Sequence, residues 1–269
     1  MDFFISNIYT VILVPLWVCL IIMLGKLFAV FQSRRLMAGL TITSSLYIFA
    51  FSIAAFAKNL LNTGFTYEIA IPFIKISAIE FSIGAYIDGL SSWMLLIVAI
   101  ISLLVQIYSY SYMQFDKSFM RYFAYMNLFT FSMVGLVLSP NMFQTYIFWE
   151  LVGASSYLLI GFWYKKEVVS NAAKKTFIIN RIGDFSLLSG IIMGGYILYS
   201  NYDNIVSISL PFSDLASISD QIYAATSDGI FIVLCLLLII ASIAKSAQFP
   251  LNTWLIDAME GPTPVSALI

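Results

Sequence analysis

Residues 229–251 read GIFIVLCLLLIIASIAKSAQFPL, and this stretch decides the fold. Sixteen uncharged residues run from Gly229 to Ala244 before Lys245 interrupts them, and Pro250 follows five residues later. A helix crossing the hydrocarbon of a bilayer needs about 20 residues, most of them apolar. The stretch has that length, yet it carries a lysine near its end and a proline behind it. A charged side chain at mid-membrane costs roughly 3 kcal/mol, and proline removes a backbone donor. In lipid such features are tolerated where protein or water satisfies the freed groups. The stretch therefore predicts a broken membrane span, with a lysine beside the break as at the ion sites of transporters.

The rest of the chain has the same character. Of its 269 residues 61% are hydrophobic and 10% charged, with a mean hydropathy of +0.94. Soluble chains are nearer half apolar and a quarter charged. That composition argues against a water-soluble enzyme and against disorder. A net charge of −1 without a long basic patch argues against nucleic-acid binding. The sequence has no histidine, which removes bis-histidine haem, histidine metal clusters and histidine-based nucleophilic triads. Cys19 and Cys235 each sit in a charge-free apolar run. They form neither a disulfide framework nor an iron–sulfur site and read as packing residues.

Runs free of Lys, Arg, Asp and Glu place spans at about 3–25, 36–57, 89–115, 122–139, 142–164, 176–199 and 229–251. The chain then enters the start of an eighth. The predicted fold is all-α, a polytopic transmembrane helical bundle with a broken seventh helix. Residues 1–85 hold two spans and an outer, hairpin-like segment, suggested by the alternation Tyr67-Glu68-Ile69-Ala70-Ile71. Residues 86–269 form the second part. The first span follows no basic leader and no small-residue cleavage site, so it reads as retained. Residues 200–228, with Asp203, Asp214, Asp220 and Asp228, read as a polar loop. Nine basic residues fall in the loops after spans 1, 3 and 5, and Lys58 and Lys75 in the opposite ones. By the positive-inside rule the N-terminus faces outward.

Four ionisable residues lie inside predicted spans: Glu150, Arg181, Asp184 and Lys245. At about 1.5 Å per residue, Glu150 lies about 12 Å from the outer edge of its span and Asp184 about 15 Å from the inner edge of its own. In a core about 30 Å thick these depths nearly coincide. Lys245 comes out deeper, about 24 Å from the outer edge. Arg181 and Asp184 are three residues apart, share a helix face and can neutralise each other. Glu150 and Lys245 have no partner on their own helices, which leaves a plain interhelical bridge or a functional pair. Burial lowers a lysine pKa, raises a carboxylate pKa, and a nearby opposite charge reverses both. A pair whose separation or hydration changes can therefore exchange a proton. Pro250, Pro262 and Pro264 mark the predicted helix break.

Three motifs carry a family resemblance. Phe148-Trp149-Glu150-Leu151-Val152-Gly153 with Ser156-Tyr157-Leu158-Leu159-Ile160-Gly161-Phe162-Trp163 resembles the fifth span of the large antiporter-like subunit of respiratory complex I. Asn180-Arg181-Ile182-Gly183-Asp184-Phe185 resembles its sixth. Lys245-Ser246-Ala247-Gln248-Phe249-Pro250-Leu251, followed by Trp254 to Ile269, resembles its broken seventh helix and the start of the eighth. That family takes in the NuoL, NdhF and mitochondrial subunit 5 proteins. The related MrpA subunit of Na⁺/H⁺ antiporters shares much of the pattern. The resemblance runs from about Tyr86 to Ile269, and earlier residues fit by span count.

The resemblance implies a membrane subunit of an NADH (or ferredoxin):quinone oxidoreductase that translocates protons through a Glu–Lys half-channel. Lys245 would carry the proton, Glu150 would modulate it, and Asp184 and Arg181 would tune Glu150 or the hydration of the path. Flavin, iron–sulfur clusters and quinone would belong to partner subunits, with no cofactor or metal held in this chain. Partners would be other complex I membrane subunits, the lipid bilayer and a C-terminal half of the same subunit. Family members continue beyond Ser266-Ala267-Leu268-Ile269 with a histidine and much more chain, and often place histidine at Asn252. The chain thus reads as a fragment, a split gene product or a truncated frame. The expected location is a bacterial plasma, thylakoid or mitochondrial inner membrane. Two alternatives stand beside this: an Mrp-type Na⁺/H⁺ antiporter subunit, and a non-transporting scaffold.

Overall fold

The computed structural model describes residues 7–28, 33–62, 64–76, 79–201 and 210–269. The helices are α1 (Ile8–Leu27), α2 (Arg34–Leu61), α3 (Gly89–Tyr112), α4 (Phe119–Val137), α5 (Met142–Ile160), α6 (Glu167–Asn201), α7 (Leu215–Ala225), α8 (Asp228–Lys245), α9 (Thr253–Ala258) and α10 (Thr263–Leu268). Strands β1 (Tyr67–Ile76) and β2 (Ile79–Ile87) lie between α2 and α3.

Six helices (α1, α2, α3, α5 with the 3₁₀ turn after it, α6 and α8) are long and apolar enough to cross a membrane. The expected fourth span, α4, is helical but falls outside that set. The physical reason is its position. It packs against α1, α2, α3 and α5, and eleven of its nineteen residues are buried. A helix enclosed by protein does not need lipid-grade hydropathy. Its Phe119, Tyr122 and Phe123 form an aromatic core with Phe162, and Trp254 joins the same cluster. α8 is the opposite case. It leans mainly on α6 and leaves Ile230, Ile232, Val233, Leu236 and Ile239 exposed, an apolar face suited to lipid.

The extended segment is an antiparallel hairpin, with Tyr67 opposite Ile87 and an irregularity between Pro72 and Ile74. It is the one departure from an all-α chain among the described residues. The hairpin is fixed to the start of α5. The Gln144 side chain accepts from Gly84 N at 2.7 Å and donates to Gly84 O at 2.9 Å, as a neighbouring strand would. Asn141 donates to Ser82 O at 2.9 Å. Gly84 has to be bare, because a Cβ there would sit 1.8 Å from the Ile69 carbonyl oxygen. Asp88 then caps α3: its carboxylate accepts from Ser91 N while Ser91 Oγ accepts from Asp88 N, each at 2.7 Å.

Two expectations need correction. Residues 200–228 are not simply a polar loop, because α6 runs on to Asn201 and α7 forms later. Asp203 lies outside the described residues. α7 carries Leu215, Ile218 and Ile222 at helical spacing, and Ile222 is buried against the α6–α8 core. The count of acids hid that stripe. Secondly, Pro262 and Pro264 do not break a helix. Pro262 caps α10, and Pro264 sits in its first turn, where the missing N–H is harmless.

Candidate functional site

The site lies where α5, α6 and α8 meet. Small residues allow the close approach. A Cβ on Gly183 would lie 2.4 Å from the Ala244 Cβ, so the bare glycine lets α8 lie flush against α6. A Cβ on Gly153 would lie 2.8 Å from Lys245 Nζ. Gly153 therefore makes room for the ammonium group itself.

Lys245 is the last residue of α8. The helix does not reach Leu251, and the stop precedes Pro250. Gln248 N donates to Ile243 O at 3.0 Å, and Ala247 adopts a left-handed φ of 50°. This is a Schellman-type end with alanine where glycine is usual. Trp254, buried on α9, donates its indole N–H to the Ala244 carbonyl at 3.0 Å. The break thus exposes a carbonyl and satisfies it from the following segment. Lys175 on α6 and Asp257 on α9 form an ion pair at 2.6 Å that holds that segment to α6.

All four predicted charges converge, but their pairing differs from the expected bridge. Lys245 Nζ lies 3.6 Å from Asp184 Oδ1, not against Glu150. It donates to the Trp149 carbonyl at 3.2 Å and lies 5.7 Å from the centre of the Trp149 ring. Glu150 pairs with Arg181. Tyr146, one turn earlier on α5, donates to Glu150 Oε1 at 2.9 Å. The Arg181 guanidinium stacks over Phe177 at 4.6 Å. Arg181 and Asp184 share a helix without pairing with each other, since each reaches a different neighbour. Exposure separates the two pairs: the Asp184 side chain is 3% exposed and Lys245 16%, against 19% for Glu150 and 44% for Arg181.

A cavity of about 190 Å³ lies beside Lys245, bounded by Trp149, Val152, Ser156, Asn180 and Trp254 among others. Asn180 Oδ1 is buried without a hydrogen-bond partner. Most of its wall is apolar, including Phe129, Met133, Leu136 and Leu268, and only the corner formed by Lys245, Asn180 and Ser156 offers water polar partners. Trp149, Tyr146, Asn180 and Trp254 had not been assigned individual roles from sequence. Tyr146 was within reach, since it sits four residues before Glu150 on one helix face.

Comparison with known proteins decides the family. Residues 139–269 match the family model described as NADH:quinone oxidoreductase/Mrp antiporter, TM, and residues 73–123 match the one for complex I chain 5 N-terminus. The chain belongs to this antiporter-like membrane subunit family. It is 43% identical over 262 residues to the chloroplastic NAD(P)H-quinone oxidoreductase subunit 5 of Citrus sinensis, covering 96% of this chain and 34% of that one. The similarity thus extends well before Tyr86. A subunit of the archaeal membrane-bound sulfane sulfur reductase has the same fold, with a TM-score of 0.77 at 20% identity over 97% of this chain and 49% of its own. A chain of the Mrp complex from a Dietzia species gives 0.76 at 22% identity, over 97% of this chain and 26% of its own. The chain spans about a third of the length of the curated relatives it matches.

Proposed function

We propose that this chain is the N-terminal part of the antiporter-like subunit of a proton-translocating quinone oxidoreductase, and that it carries one proton half-channel. The observation behind this reading is the four-charge arrangement on α5, α6 and α8. Desolvation makes isolated charges there costly, and such charges mark ion paths by default. Lys245 takes up and releases the proton. Asp184 holds the ammonium form by direct pairing, and Glu150, engaged by Arg181 and Tyr146, acts on it without direct contact. Opening one ion pair weakens the field at the other, so the two pairs are coupled through their shared helices. Redox groups lie in partner subunits, and other membrane subunits complete the path. The hairpin and the N-terminus face outward, as the distribution of basic residues suggests.

The test replaces Lys245 with alanine in the complete subunit, within its assembled complex in sealed vesicles. Proton pumping is expected to fall at least tenfold. Full pumping with normal assembly would remove the proposed role.

A second reading, an Mrp-type antiporter subunit driven by ion gradients, is supported by the likeness in fold to the Mrp chain. Co-purification with quinone-reducing partners favours the first reading. Na⁺-dependent proton exchange without them favours the second.

A further inference from the structure

Two cavities share lining residues on α4 and α5. The cavity beside Lys245 is about 190 Å³. A second, of about 440 Å³, lies at the hairpin end of the bundle and is lined by Tyr86, Asp88, Ser139, Thr145 and Phe212 among others. Trp149 and Leu136 line both. Val152, Asn180 and Lys245 line only the first.

Trp149 is held by the ammonium group it covers. Its carbonyl accepts from Lys245 Nζ at 3.2 Å, and its ring lies 5.7 Å from that nitrogen. Its own indole N–H is buried beside the Asp184 carboxylate, without a well-formed hydrogen bond to it. Buried donors are rarely left unpaired, so this orientation of the ring depends on its other contacts. Thr145 lies one turn earlier on α5 and lines the larger cavity, on the same helix face. A cation–π contact exists only while the amine is charged. Asp184, Glu150 and Arg181 are the other charged groups around Lys245.

We infer that Trp149 is the movable partition through which Lys245 is reprotonated from the hairpin-side cavity. The inference rests on the reading of Lys245 as proton carrier. With the ammonium charged, the indole stays over it and interrupts any file of water. When an N–H bond of the ammonium breaks, the proton forms an O–H bond to water in the cavity that Lys245 itself lines and leaves there as hydronium, and the amine becomes neutral. The cation–π hold then vanishes, and only the indole's contact with Asp184 opposes its turn towards Thr145. Coupling the ring to the charge lets the route open after release and close again on reprotonation.

The test uses the complete subunit in its assembled complex in sealed vesicles. With electron transfer blocked, W149A is expected to dissipate an imposed proton gradient at least fivefold faster than wild type, and W149F to fall between the two. A wild-type rate in W149A overturns the proposal. The second measurement places a cysteine at Val152, in a background with Cys19 and Cys235 replaced by alanine. A membrane-impermeant cationic thiol reagent is added on the hairpin side. Labelling is expected to be slow with Trp149 and at least tenfold faster with W149A. If W149A does not assemble, W149L takes its place. Equal labelling with and without the indole overturns the partition. The outcomes separate from the parent reading: normal pumping in Lys245→Ala sinks the carrier role, whereas a tight W149A with a pumping-deficient Lys245→Ala sinks only the partition.

Discussion

Between α3 and α4, Ser102 and Thr130 share a hydrogen bond of 3.0 Å, and the Gln106 amide reaches both at 3.4 Å. Ser109 meets Tyr122 at 3.0 Å one turn further along. Between α5, α6 and α8 lie four charges in two ion pairs. Both clusters are polar groups inside a bundle bordered by lipid, and they differ in where each group finds its partner. Thr130 also donates to the Met126 carbonyl and Ser109 to that of Val105, four residues back on their own helices. A neutral hydroxyl can thus be satisfied locally, whatever its neighbours do. No carbonyl on α6 can neutralise Asp184. Its compensation comes from α8, so the charged cluster is tertiary in a sense the neutral one is not.

Asp184→Asn should therefore give the largest effect of the substitutions that contrast the clusters. It leaves Lys245 buried with a carbonyl and a ring but no direct counter-charge. Removing one member of a buried pair typically costs about 3–5 kcal/mol. Proton pumping by the complete complex should drop more than tenfold, with the assembled fraction on native gels reduced but not abolished. Pumping at the wild-type rate would mean that Glu150 alone compensates Lys245, and the pairing read from the structure would lose its significance.

This contrast also explains what could be read in advance. Glu150, Arg181, Asp184 and Lys245 stood out because charges inside apolar runs are expensive, and all four converge. Their pairing was not legible. Counting along a helix yields depth, but partner choice depends on azimuth and on the space at Gly153. The neutral cluster was invisible for a related reason: Ser, Thr and Gln sit at low cost within a span, so nothing marks them as buried together. The hairpin was legible from its alternation. The end of α8 was not, since an alanine at position 247 gives no hint of left-handed geometry, and Pro250 drew the boundary too late. α4 shows the converse limit, because a protein-enclosed helix need not be apolar enough for lipid.

Gly153→Ala probes the same difference through space instead of charge. The added methyl would meet Lys245 Nζ at 2.8 Å, so the ammonium must shift from its place between Trp149 and Asp184. Overpacking of a rigid core costs about 1–3 kcal/mol, and the far end of a flexible lysine gives way for less. Pumping should fall several-fold while assembly stays near normal. The measurement that matters is the ratio of pumping to electron transfer. If that ratio is unchanged, the ammonium tolerates displacement and the tightness at Gly153 has no functional content.

Gln106→Leu should give the smallest effect, and it is the control that makes the comparison quantitative. The substitution removes an amide whose Nε2 contacts are long, at 3.4 Å, and whose Oε1 is buried without a partner. Hydrogen bonds between membrane helices average about 0.6 kcal/mol. Ser102 and Thr130 keep their mutual bond, and Thr130 keeps Met126 O. Leucine is close to glutamine in volume, so no cavity follows. Thermal stability of the assembled complex should shift by no more than the scatter between preparations, and pumping should stay within a factor of two of wild type. A loss as large as that of Asp184→Asn would place Gln106 on a hydrated path of its own, and the division between a neutral packing seam and a charged transport site would have to be redrawn.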